Sequence, residues 1–166
     1  MEPEPHETLS NDPGAPLPDG GLRSRLWVAA QFGVLAAMLT WPARWRIDMP
    51  ALVLGASALA AAAWVLAYNR PGNFNIRPDP RVGGRLITQG PYRFVRHPMY
   101  VSLLLGAGAV ALASHGVAQG LLWLVLLLVL EGKAAMEERL LAQRWPAYAA
   151  YRARTGRFMP RAGRPR

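Results

Sequence analysis

Cysteine is absent from this chain. Its absence excludes disulfides, thiolate nucleophiles and cysteine metal sites, and leaves the redox compartment unmarked. Histidine occurs only at 6, 97 and 115, too scattered for a metal cluster, so no metal is expected. Charge is scarce: 17% of residues are Asp, Glu, Lys or Arg, against about a quarter in a soluble domain. No basic stretch precedes an apolar one at the N-terminus, so no signal peptide is expected there. No internal repeat is visible, which weighs against an inverted-repeat transporter.

What is present is apolar and basic. Hydrophobic residues make up 52% of the 166, with Ala and Leu gathered in runs, and the net charge is +9. Residues 1–20 carry five Pro and five acids with almost nothing apolar, and read as a disordered tail. A single domain is expected over 21–166. Four apolar segments follow the tail: roughly 24–41, 50–68, 98–114, and one from 117 to about 145. Trp27 and Trp41 suit the two interfaces of a bilayer, and Pro50 and Pro98 suit helix starts. The last segment, at ~1.5 Å per residue, reaches ~42 Å, beyond a hydrocarbon core of ~30 Å. Its C-terminal part should therefore project from the apolar zone near Lys133, Glu137 and Glu138. The spacing predicts an all-α, polytopic membrane bundle of about four transmembrane helices, with a cytoplasmic loop and a C-terminal helical segment.

Loop charge gives an independent topology. With both termini cytoplasmic, 17 Lys and Arg lie inside and 2 outside. The basic balance is thus assigned to membrane topology, not to nucleic acid. Small residues at four-residue spacing (Ala51/Gly55, Ala58/Ala62, Ser102/Gly106) permit close helix approach, although Ala-rich composition alone explains them as well.

Two polar clusters fall on the inner side. The first, 69–100, ends in GPYRFVRHPMY and is rich in Pro and Gly turn signals. A loop this long is more often functional than not. The second is KAAMEERLLAQRWPAYAAYRARTGRFMP. Lys133 and Glu137 share a helix face, and taken alone read as well as a surface ion pair. Tyr148 and Tyr151, on a short helix after Pro146, read as well as interfacial anchors. His97 alone reads as a cap or core histidine.

The order GPYRxVRHPxY, apolar hairpin, EExxL, WxxYxxY and RFxP resembles the isoprenylcysteine carboxyl methyltransferase family and its bacterial relatives, which include phospholipid methyltransferases. The resemblance covers about 69–160. It implies an S-adenosylmethionine-dependent methyltransferase in the bacterial inner membrane, multi-pass, acting on a lipid-like or hydrophobic acceptor. The implied cofactor residues are Gly84, Arg85, Leu86, Ile87, Tyr92, His97, Pro98, Met99, Tyr100 and Glu137, with Arg77 further out. Lys133 and Glu138 are the implied catalytic positions. The family often carries an Arg where Lys133 stands, and Lys does not present the same bidentate fork to a carboxylate.

The residue types suit that cofactor. Arg and His can accept its carboxylate, Glu137 its amine or hydroxyls, and Tyr92 and Tyr100 offer aromatic faces to a cation. Backbone groups of Leu86 and Ile87 could meet adenine. Carboxyl O-methylation is favoured. Methylation of a phospholipid amine, with Glu138 as proton acceptor, is the alternative, and a scaffold binding anionic lipid is the non-enzymatic one.

Overall fold

The computed structural model describes residues 21–41, 43–68 and 86–161. Gly84 and Arg85, the tail 1–20 and the loop before Leu86 lie outside the described residues. The described residues form five α-helices: α1 (Gly21–Thr40), α2 (Met49–Tyr68), α3 (Pro98–Ser114), α4 (Val117–Arg144) and α5 (Tyr148–Arg154). A 3-10 turn, Gly90–Arg93, precedes α3. No β-strand occurs among the described residues, only one parallel bridge between Val95 and Gly156.

Two helices are long and apolar enough to cross a membrane: α2, of 20 residues, and α4, of 28. The apolar α3 has 17 residues. On α2 and α4, Leu59 and Leu128 point outward and are 74% and 69% exposed. Rows of such side chains are stable only against an apolar solvent.

The helices pack in the order α2, α3, α4, α1, leaving α1 and α2 at the outer edges. Small residues make the α2–α3 contact: a Cβ added at Gly55 would stand 3.7 Å from Ala109, and one at Gly106 3.7 Å from Ala58. Ala51, Ala58 and Ser102 are buried there. A core of Met38, Leu104, Ala107, Leu126 and Leu130 joins α1, α3 and α4. On α1 and α4, Gly132 leaves the space that the Trp27 ring fills, and a Cβ there would overlap the ring. Trp27 is thus packed between helices rather than freed for the interface.

The far end of the bundle is closed by short turns. Asp48 caps α2 by accepting a 3.1 Å hydrogen bond from the Ala51 N–H. Arg46 N–H donates to Ala113 O at 2.7 Å, tying the α1–α2 turn to the α3–α4 turn. His115 ends α3 in the left-handed region, φ 49°. The opposite end gathers the α3 N-terminus, the α4 C-terminus and α5. It is there that the polar residues meet.

Candidate active site

Pro98 opens α3, where its missing N–H leaves no orphan donor. His97 is the cap residue, and its carbonyl accepts from Tyr100 N–H and Val101 N–H at 3.0 and 3.1 Å. Its side chain makes no cap bond. The backbone thus starts the helix and the imidazole is left for α4. Nε2 lies 3.1 Å from Glu138 Oε1 and Nδ1 lies 3.5 Å from Glu137 Oε2. One buried ring is spanned by two consecutive carboxylates. Burial acts to lower the His97 pKa, but hydrogen bonds and charge from Glu137 and Glu138 outweigh it and raise the pKa above its ordinary value. The two carboxylates therefore favour the protonated ring relative to a free imidazole.

Glu138 is the charge centre of the cluster. It accepts from Arg96 Nε at 3.0 Å and from Arg157 Nε and Nη2 at 3.0 and 3.1 Å, in addition to His97. Arg157 also pairs with Glu131, and Arg96 donates to the Thr155 carbonyl. The segment after α5 is held by its backbone as well: Arg96 N–H donates to Gly156 O at 2.8 Å and His97 N–H to Arg157 O at 3.2 Å. Gly156 is required for room, since a Cβ would strike the Met159 carbonyl.

Tyr100 stands one turn into α3 and donates from its hydroxyl to Glu137 Oε2 at 3.0 Å. Its ring stacks on His97, centroids 5.2 Å apart and planes 3° from parallel. Phe158 meets both rings edge-on at 6.1 and 6.2 Å. Lys133 Nζ lies 5.3 Å from the Tyr100 ring centroid and donates to Gln31 Oε1 of α1 at 2.6 Å. Lys133 is 1% exposed and has no carboxylate within ion-pair distance among the described residues.

The sequence-expected residues divide as follows. His97, Pro98, Tyr100, Lys133, Glu137 and Glu138 converge. Tyr92 sits in the 3-10 turn, its carbonyl accepting from the Tyr151 hydroxyl at 2.7 Å. Gly90 permits that turn with φ +58° and lies against the Tyr68 ring. Met99 is half-buried, its carbonyl accepting from Ser102 Oγ at 2.8 Å. Leu86 and Ile87 are half-buried just upstream. Lys133 turns to Gln31 instead of forming the surface pair with Glu137, and Tyr148 and Tyr151 are buried instead of anchoring at an interface. Sequence reasoning did not assign Arg96, Gln31, Arg157 or Phe158. The RFxP motif was the signal for the last two, whereas nothing local marks Gln31. Among the described residues, no three His, Asp or Glu side chains gather as a metal site.

Comparisons with known proteins identify the family. The family model described as phospholipid methyltransferase matches residues 50–147. The chain is 31% identical to the cobalt-zinc-cadmium resistance protein CzcN of Cupriavidus metallidurans, over 84% of this chain and 64% of that protein. It is 27% identical to the nickel-cobalt-cadmium resistance protein NccN of Alcaligenes xylosoxydans xylosoxydans, over 84% of this chain and 65% of that protein. The chain thus spans just under two thirds of the length of these curated relatives. No solved structure matches it.

Proposed function

This chain belongs to the phospholipid methyltransferase family, and from that premise we propose that it is an integral membrane methyltransferase using S-adenosylmethionine. We read α1 to α4 as four spans with the His97 end cytoplasmic. The observation that carries the reading is the His97 ring spanned by Glu137 and Glu138 at 3.5 and 3.1 Å, beside Tyr100 and under Phe158.

The residues present fit the cofactor. Its sulfonium would supply the electrophilic methyl group. The rings of Tyr100 and Phe158 would bind its cationic part, and the His97 ring its flat adenine. Glu137, the more accessible carboxylate, would hold its amine or hydroxyls. Glu138, engaged by two guanidinium groups and His97, fixes the ring and holds the C-terminal segment over it, and is poorly suited to take up a proton.

The acceptor follows from what the site lacks. Both ring nitrogens of His97 face Glu137 and Glu138, and Glu138 is engaged by Arg96 and Arg157, so neither is free to serve as general base. A carboxylate acceptor needs none: its oxygen attacks the methyl carbon, the carbon–sulfur bond breaks, and opposite charges vanish. Water exclusion favours such a step. Lys133, buried beside the Tyr100 ring with no carboxylate within ion-pair distance among the described residues, would meet the acceptor's negative charge. We therefore favour O-methylation of an acidic, lipid-like acceptor. The family's description favours a phospholipid amine as the second reading.

The names of the two relatives tie those proteins to resistance against divalent metals. A methyl ester on a membrane acid would remove a negative charge that attracts such cations, a link tested by vesicle surface potential before and after methylation. An unchanged potential ends that link.

The principal test is S-adenosylhomocysteine binding by calorimetry in detergent, together with methyl transfer from labelled cofactor into a lipid extract. His97→Ala and Glu137→Ala should weaken binding about tenfold or more. An ester releases its label as methanol in alkali, whereas an N-methyl amine does not. Wild-type protein that neither binds nor transfers would refute the reading.

A further inference from the structure

Three buried side-chain oxygens among the described residues lack a hydrogen-bond partner: Ser24 Oγ, Gln119 Oε1 and Tyr148 Oη. Two have bland explanations. Gln119 lies at the far end, where its amide already donates to Met38 O at 2.8 Å and only an acceptor oxygen is idle. Ser24 stands one turn into α1, and a rotation of its hydroxyl brings it to the α1 backbone carbonyl three residues earlier. Tyr148 has no such recourse, because a phenol cannot reach its own helix backbone.

Tyr148 is 1% exposed and is among the largest fully buried side chains. It sits on α5, packed against Tyr151 with ring centroids 5.9 Å apart. The two tyrosines share a short helix and differ in one respect: the Tyr151 hydroxyl is engaged by Tyr92 O, and the Tyr148 hydroxyl by nothing. It also lies within the electrostatic reach of Glu138, Arg96 and Glu137. Burial, foremost, pushes its pKa up, so the group stays a neutral O–H, able to donate. Folding a phenol into a dry site with its hydroxyl unused destabilises the free protein, and phenylalanine would fill the same space without that cost.

We infer that Tyr148 is a further cofactor-binding residue, its Oη donating a hydrogen bond to an oxygen of the bound adenosyl cofactor. The inference rests on the methyltransferase reading above. It assigns to α5 a direct part in the site, distinct from that of Tyr151, which supports the Tyr92 turn. The cofactor oxygen belongs to its ribose or to its amino-acid carboxylate. Both are acceptors of the same kind.

The test compares wild type, Tyr148→Phe and Tyr151→Phe as full chains in detergent. Melting of the ligand-free protein is measured, then binding of S-adenosylhomocysteine and of 5′-methylthioadenosine, which keeps the ribose and lacks the carboxylate. Tyr148→Phe should melt at the wild-type temperature or above it and bind S-adenosylhomocysteine about tenfold more weakly. If methylthioadenosine weakens in parallel, the partner is the ribose; if it does not, the partner is the carboxylate. Tyr151→Phe should melt lower. Wild-type affinity in Tyr148→Phe overturns the inference and leaves the methyltransferase reading intact. So does a lowered melting temperature of its ligand-free form, which would make the hydroxyl structural. Wild-type protein that binds neither ligand overturns both.

Discussion

Replacing Glu138 by Ala removes the one group on which four cations converge: His97, Arg96, Arg157 and, at 3.9 Å, Arg152, which is 59% exposed and stays solvated without it. The carboxylate is 3% exposed, Arg96 9% and His97 5%, so most of the cluster is dry. Breaking a buried charge pair from one side costs ~3–5 kcal/mol, because the partners stay buried without compensation. Two partners have recourse. Arg157 is 28% exposed and keeps Glu131, and His97 keeps Glu137. Arg96 keeps only backbone carbonyls of Thr155 and Arg152. The lower end, ~3 kcal/mol, is therefore expected. At ~2–4 °C per kcal/mol for a chain of this size, that is a fall of ~6–12 °C in Tm. The assay is thermal unfolding in detergent, with Glu131→Ala as comparison. Glu131 is 41% exposed and bridges only Arg157, so its loss should cost under ~1 kcal/mol. If the two variants melt together within a degree or so, Glu138 is not the centre of the site and the argument from its geometry fails.

Other outcomes follow from the same coordinates. The His97 pKa is raised on folding, so protonated His97 stabilises the fold fully below its unfolded pKa of about 6.5, and this stability is lost as pH rises through the folded value. Wild type should thus lose more stability than His97→Gln as pH rises above about 6.5, and parallel profiles would contradict it. Gly132→Ala should destabilise by ~1–3 kcal/mol through overlap with Trp27, and the same change made in a Trp27→Ala background should cost much less. An equal cost in both backgrounds would show that the contact is not the cause. Asp48→Ala should cost ~1 kcal/mol by uncapping α2 without altering S-adenosylhomocysteine affinity, because it lies at the far end of the bundle. Lys133→Met should weaken transfer to acidic acceptors with little change in cofactor affinity, and equal transfer by wild type and variant would remove Lys133 from the acceptor side.

Helix positions were legible because hydropathy and Pro placement are local. Segments expected at 24–41, 50–68, 98–114 and 117–145 are helices Gly21–Thr40, Met49–Tyr68, Pro98–Ser114 and Val117–Arg144. The first started earlier because Arg23 and Arg25 break the apolar run without breaking the helix. The meeting of His97 with Glu137 and Glu138 was legible only through the order of motifs, since those residues are some forty positions apart. The Lys133–Gln31 bond joins residues 102 apart across α1 and α4, and no spacing rule reports it. Spacing equally suggested a Lys133–Glu137 pair on one face, and burial against α1 decided otherwise. Arg96 and Arg157 stand in the GPYRxVRHPxY and RFxP motifs, but composition assigns basic residues to topology, so their inward turn onto Glu138 went unassigned.

The pairing of Arg96 and His97 with Gly156 and Arg157 has a consequence for how the molecule is made. All four long helices leave the ribosome before the residues that seat His97 do. A product ending near residue 150 would hold helices α1 to α4 and still lack the backbone bonds and the guanidinium that complete the His97–Glu138 cluster. Forming the long helices and seating the imidazole are therefore separable events, and the second waits on the segment after α5.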